Sequence, residues 1–172
     1  MTELALLFAL TIVLMIFENM IPPLLTLPVG VKLGLSNIVL MYCLFFLGKR
    51  SAFTILFLKT LFVLITRSLT AFFMSFGGGL CSIIVMIILL SLKKHQISYI
   101  IISIFSAVAH NFGQLVISWF LLKTTSVFYY APILIISGVF MGVITGIVLK
   151  VMIPAMDRLN GSRTNLNDVK KI

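Results

Sequence analysis

The stretch from Ser98 to Leu122, SYIIISIFSAVAHNFGQLVISWFLL, decides the class of fold. It contains no Asp, Glu, Lys or Arg and outlasts the ~20 residues a helix needs to cross the hydrocarbon core of a bilayer. A membrane-spanning strand would alternate apolar and polar residues in short segments. Here Tyr99 to Ala109 is almost continuously apolar, as is Ile83 to Leu92. The whole chain has the same character: of its 172 residues 61% are hydrophobic and 10% charged, with mean hydropathy +1.24. Soluble domains run near ~45–50% apolar and ~25% charged. Charges this sparse do not cover the surface of a soluble domain, so most of the solvent must be lipid. The expected fold is an all-α membrane bundle.

Outward from that stretch, breakers and charges divide the chain into six expected spans. The first runs from Leu4 to Met20 and stops at Pro22-Pro23. A loop from Ile21 to Val31 holds Pro28 and Gly30. The second covers Leu33 to Leu47, ending at Gly48-Lys49-Arg50, and the third Ser51 to Ile65, ending near Arg67. Ser68 to Phe76 reads as a short re-entrant or interfacial helix, punctuated by Gly77-Gly78-Gly79. The fourth span then covers Leu80 to Leu92, closed by Lys93-Lys94-His95; the fifth is Ser98 to Leu122, and the sixth Ala131 to Ile153. Residues 1–156 form one transmembrane domain in this reading, and 157–172 a polar cytoplasmic tail. The N-terminus shows no basic region and no cleavage pattern, so the first span is expected to be retained.

The net charge of +9 bears on topology rather than on nucleic acid, because the cations sit in short loops and the tail, not on one face. With the N-terminus inside, the inner side holds Lys49, Arg50, Lys93, Lys94, Lys150, Arg158, Arg163, Lys170 and Lys171. The outer side holds only Lys32, Arg67 and Lys123. Cytoplasmic loops carry the Lys/Arg excess, which predicts a cell-membrane protein with both termini cytoplasmic. Cys43 and Cys81, in apolar runs without ligand spacing, read as small buried hydrophobes.

Polar groups inside apolar spans carry the functional signal, since a charge at mid-membrane costs about 2.5–3.5 kcal/mol on insertion scales. Glu18 falls at the outer end of the first helix, Lys32 and Asn37 at the outer start of the second, and Lys59 mid-way along the third, with Arg67 at its outer end. His110, Asn111 and Gln114 run from the middle of the fifth towards the outside, and His110 and Gln114 share a face. Each has a plainer reading too. Lys32 and Arg67 snorkel to outer headgroups, Glu18 bridges one of them, and Asn37 and Gln114 act as interhelical glue. Lys59 is too deep for snorkelling. Convergence of these groups on the outer half predicts an outward-facing pocket, and three cations against one carboxylate tilt it towards an anionic or amphipathic small molecule. Gly138, Gly142 and Gly146 recur every fourth residue and invite close approach of a helix from this chain or a partner. Gly77-Gly78-Gly79 reads either as a flexible turn or as backbone amides open to an anion.

The segments VKLGLSNIVLMY (Val31 to Tyr42), SFGGGLCSIIVM (Ser75 to Met86) and AVAHNFGQLVISW (Ala107 to Trp119) resemble the Gx transporter family. Its members are also labelled heptaprenyl diphosphate synthase component I. The resemblance spans Leu4 to Ile153, and its most specific parts are KLGLxN at Lys32 to Asn37 and HNxGQ at His110 to Gln114. That family is similar in turn to the substrate-binding S components of energy-coupling factor (ECF) transporters. This likeness implies six helices, an outward-facing pocket covered by the first loop, and docking on a coupling subunit through small residues of helix one, here Ala5 and Ala9.

The label of a synthase also implies Mg²⁺ on a prenyl diphosphate, which needs clustered carboxylates. The chain has only Glu3, Glu18, Asp157 and Asp168, well separated, so no catalytic residues and no metal ligands are expected in it. It has no Walker A pattern, so any ATP hydrolysis falls to a partner ATPase. Three functions remain open: a substrate-capturing transport subunit, an accessory subunit of isoprenoid or quinone metabolism, and a membrane component of flavin- or quinone-linked extracellular electron transfer. The bound molecule would be a small anionic or amphipathic compound in the first, a prenyl diphosphate in the second, and a flavin or quinone in the third. No haem or iron–sulfur pattern is present, so an electron carrier would be an organic ligand.

Overall fold

The computed structural model describes residues 2–20, 34–92 and 98–159. All elements among them are helical. They are α1 (Thr2–Met20), α2 (Ser36–Tyr42) continued by a π-helical turn (Cys43–Leu47), α3 (Lys49–Thr66), α4 (Leu69–Ser91), α5 (Tyr99–Leu122), a 3₁₀ turn (Thr125–Tyr130) and α6 (Ala131–Leu159). Three stretches, Leu69–Ser91, Tyr99–Leu122 and Thr125–Val151, are long and apolar enough to cross a membrane. Their outer faces present bare hydrocarbon, with Ile136 70% and Phe120 74% exposed. Such a surface suits lipid and not water. The protein is a helical membrane protein.

Local chemistry sets the junctions. Gly48 joins α2 to α3 at φ +89°, a left-handed conformation that glycine alone adopts freely. Ser68, in extended conformation, caps α4 by accepting a bond from the Ala71 amide at 3.2 Å. Lys123 ends α5 in the left-handed region, its amide bonded back to the Trp119 carbonyl.

Cross-helix pairings give the chain direction. Asn37 meets Lys59 across the Gly48 joint, and Gly79 meets Leu56 across the Arg67–Ser68 joint. Ile117 lies against Gly77, while Ser106 lies against Ser82 nearer the other end. Gly138 lies against Val108 and Gly146 against Ile100. In each pairing later residues meet earlier ones, so α2 to α6 run up and down alternately.

The glycines correct one expectation. Ser68 to Phe76 is no separate re-entrant helix and Gly77-Gly78-Gly79 is no turn: all three glycines lie inside one unbroken helix, Leu69–Ser91. Their amides are spent in that helix and are not open to an anion. They serve packing instead. Side chains of Ile117, Gln114 and Leu56 fill the space a Cβ would take at Gly77, Gly78 and Gly79. The Gly138, Gly142, Gly146 row makes the same kind of seam within the chain, on α5; a Cβ at Gly142 would come 2.5 Å from the Cα of Ile104. Lipid supplies no hydrophobic drive between helices, so close van der Waals contact through small residues holds such seams. At its far end α6 continues past Ile153, through Pro154, to Leu159. Residues 160–172 of the tail lie outside the described residues.

Candidate functional site

The polar residues gather where α1 and α3 end and α2 and α4 begin. α3 brings Lys59, whose side chain is 4% exposed, into the bundle, and Lys59 Nζ donates to Asn37 Oδ1 on α2 at 3.1 Å. Asn37 is in place because the α2 N-terminus is wound from Gly34: the Asn37 amide bonds the Gly34 carbonyl at 2.9 Å. Gly34 itself stands at φ +70°, and its amide donates to Glu18 Oε1 at 2.6 Å. The lone carboxylate of the site thereby fastens the end of α1 to the start of α2.

α5 supplies the opposite wall. The Gln114 amide nitrogen lies 3.1 Å from His110 Nε2. An amide nitrogen only donates, so with this amide orientation the ring proton sits on Nδ1. Asn111 turns away from that pair to α6, where its Nδ2 donates to the Leu134 carbonyl at 2.7 Å and lies 3.5 Å from Ser137 Oγ. The buried Ser82 and Ser106 hydroxyls bond each other at 2.6 Å between α4 and α5.

These walls enclose one cavity of about 50 Å³. Glu18, Asn37, Lys59, Arg67, His110, Asn111 and Gln114 all line it, drawn from α1, α2, α3 and α5. Arg67, at the end of α3, is exposed as well as lining, which puts it at the mouth. Lys32, the remaining residue singled out from sequence, lies outside the described residues. Ala5 and Ala9 are on the exposed face of α1, beside Leu6 and Val13.

Sequence reasoning missed the hydroxyl part of the lining: Ser75, Ser103, Ser106 and Thr145. A signal was available on α5, where Ser103, Ser106, His110 and Gln114 fall three or four residues apart and so share one face. Taken together the cavity offers a lysine, a guanidinium, amides and hydroxyls, with a single carboxylate already engaged by backbone. Among the described residues no three of His, Cys, Asp and Glu come together. Hydrogen-bond donors in a low-dielectric lining of this kind are chemically able to hold negative charge.

A family model described as heptaprenyl diphosphate synthase component I matches residues 7–152 of the chain. No curated protein and no solved structure matches it.

Proposed function

The chain belongs to the heptaprenyl diphosphate synthase component I family, and from this premise we propose that it is a membrane-embedded binding subunit that captures the anionic head of a small molecule. The observation that carries the reading is the convergence of Glu18, Asn37, Lys59, Arg67, His110, Asn111 and Gln114 on one cavity. A buried lysine and a guanidinium beside one occupied carboxylate favour a ligand of opposite charge. The volume of about 50 Å³ holds roughly three or four waters, the size of a phosphate-like head rather than of a whole flavin. In the bilayer the chain crosses six times with both termini inside, as the Lys/Arg distribution favours, so the Arg67 mouth opens outward.

Capture from outside implies delivery inward through a partner, as in S components of ECF transporters. The exposed Ala5 and Ala9 on α1 suit docking against a coupling subunit, with ATP hydrolysed by that partner's ATPases. The family description favours a second reading, in which the chain is one component of a prenyl diphosphate synthase and holds the product's head while a soluble partner does the chemistry. Both readings need the same anion site.

Thermal unfolding of the purified full chain in mild detergent, against phosphate, diphosphate, prenyl diphosphates, vitamins, a flavin and a quinone, tests the shared part. Stabilisation by an anionic ligand that Lys59→Ala removes is the expected result. Failure of every ligand to stabilise, with no effect of Lys59→Ala on uptake, sinks the proposal. Co-purification with an ATPase pair or with a soluble polyprenyl synthase separates the two readings.

A further inference from the structure

A second cavity, of about 330 Å³, lies on the outer face of α5. Val85 of α4 flanks one side, Phe105, Ala109 and Phe112 form its floor, and Ala131 and Ile135 of α6 flank the other. Its lining is apolar apart from Asn111, and Asn111 is also the residue it shares with the polar cavity. Asn111 therefore stands between the two spaces at the α5–α6 seam, beside Gly138, where a Cβ would come 3.0 Å from Asn111 Nδ2. Resting on the anion site proposed above, we propose that the ligand is a single-chain amphiphile whose anionic head occupies the polar cavity. Its hydrocarbon chain leaves through the seam at Asn111 and lies in the α4–α5–α6 groove.

Three observations favour this occupant over ordinary annular lipid. The polar cavity has room for a head and for little more. The groove and the polar cavity have Asn111 as a common wall. Its α5 wall rises about 15 Å from Phe105 to Leu115 at 1.5 Å per residue, the scale of a medium-length hydrocarbon chain. Asn111 acts as a positioning residue in this arrangement: its side chain spans the seam to the Leu134 carbonyl, and the hydrocarbon chain passes where it turns aside.

The test uses the full chain in nanodiscs with two probes, ethyl phosphate and a dodecyl phosphate bearing a photoreactive diazirine at the chain end. Crosslinked sites are mapped by mass spectrometry. The expected sites lie within 105–115 and 128–135, with yield falling at least tenfold under excess ethyl phosphate, in Arg67→Gln and in Ala109→Trp. Ile88→Trp, exposed on α4 outside the groove, controls for added bulk and should leave the yield within twofold. If ethyl phosphate stabilises the protein but crosslinks scatter over all lipid-facing helices, the head site stands and the chain groove is overturned. If crosslinks stay in the groove yet ignore both ethyl phosphate and Arg67→Gln, the groove holds annular lipid and the amphiphile proposal is overturned; the anion site falls with it only if ethyl phosphate also fails to stabilise the protein.

Discussion

Gly142 sits so close to the backbone of α5 that an alanine there has nowhere to put its methyl group. The added Cβ would stand 2.5 Å from Ile104 Cα, 3.0 Å from Ile104 N and 3.1 Å from Ser103 O. Carbon atoms rest ~3.5–4.0 Å apart, so α5 and α6 must part by about 1 Å at this level. Overpacking of this kind costs about 1–3 kcal/mol, and backbone neighbours that cannot rotate aside place it at the upper end. The better helix propensity of alanine returns about 1 kcal/mol, leaving a net loss of about 2 kcal/mol. Gly77→Ala is the matched comparison. It meets the Ile117 side chain rather than backbone, at the stem of a β-branched residue stiff at χ1, so the overpacking costs about 1–2 kcal/mol and, less the same propensity gain, leaves a smaller loss than at Gly142. Equilibrium unfolding in mixed micelles, followed by helical circular dichroism, reads both variants on one scale. Gly142→Ala as stable as the parent, or Gly77→Ala losing as much as Gly142→Ala, would refute the seam argument.

Lys59→Gln keeps a donor near Asn37 but removes the charge; affinity for diphosphate should fall at least tenfold by calorimetry while the thermal midpoint moves only a few degrees. Ser82→Ala and Ser106→Ala should each cost about 1 kcal/mol by leaving one buried hydroxyl unpaired. Their double mutant should cost clearly less than the sum, and simple additivity in the unfolding cycle would count against the 2.6 Å bond between them. For topology, Ser126→Cys should react with a membrane-impermeant maleimide in intact cells and Arg50→Cys only after lysis. The reverse pattern turns the bundle over.

How much was legible beforehand differs between helices for physical reasons. Leu4 to Met20, Ser51 to Ile65 and Ser98 to Leu122 were readable to within a few residues because charges, glycine at Gly48 and the cap at Ser98 end them chemically. The convergence of Glu18, Asn37, Lys59 and His110 followed from depth alone, since charged and amide groups in apolar spans avoid lipid. Gly77-Gly78-Gly79 misled because a glycine run reads as a turn in water. Within a membrane helix the same run marks close contact, and its meaning rests on Ile117 and Leu56, far away in the chain. The π turn at Cys43–Leu47 left no mark in the sequence that propensity could read. The serine stripe on α5 was overlooked because a hydroxyl in an apolar run can also bond its own helix, as Thr11 does to Leu7 and Thr145 to Met141.

Lys59 has a consequence for how the chain is made. α3 carries Lys49, Arg50 and this buried lysine, and it is not among the three stretches apolar enough to cross by composition. Meeting lipid alone, it would carry the insertion penalty of a mid-helix charge, about 2.5–3.5 kcal/mol. α4 follows after only Arg67 and Ser68, with a hydropathy of 2.4, so during synthesis the two helices should partition as a hairpin, the apolar arm carrying the charged one. A translocon reporter in which α3 is presented without α4 should therefore insert poorly, and restoring α4 should rescue it. The residue best placed to hold a ligand would then also set the order in which this protein enters its membrane.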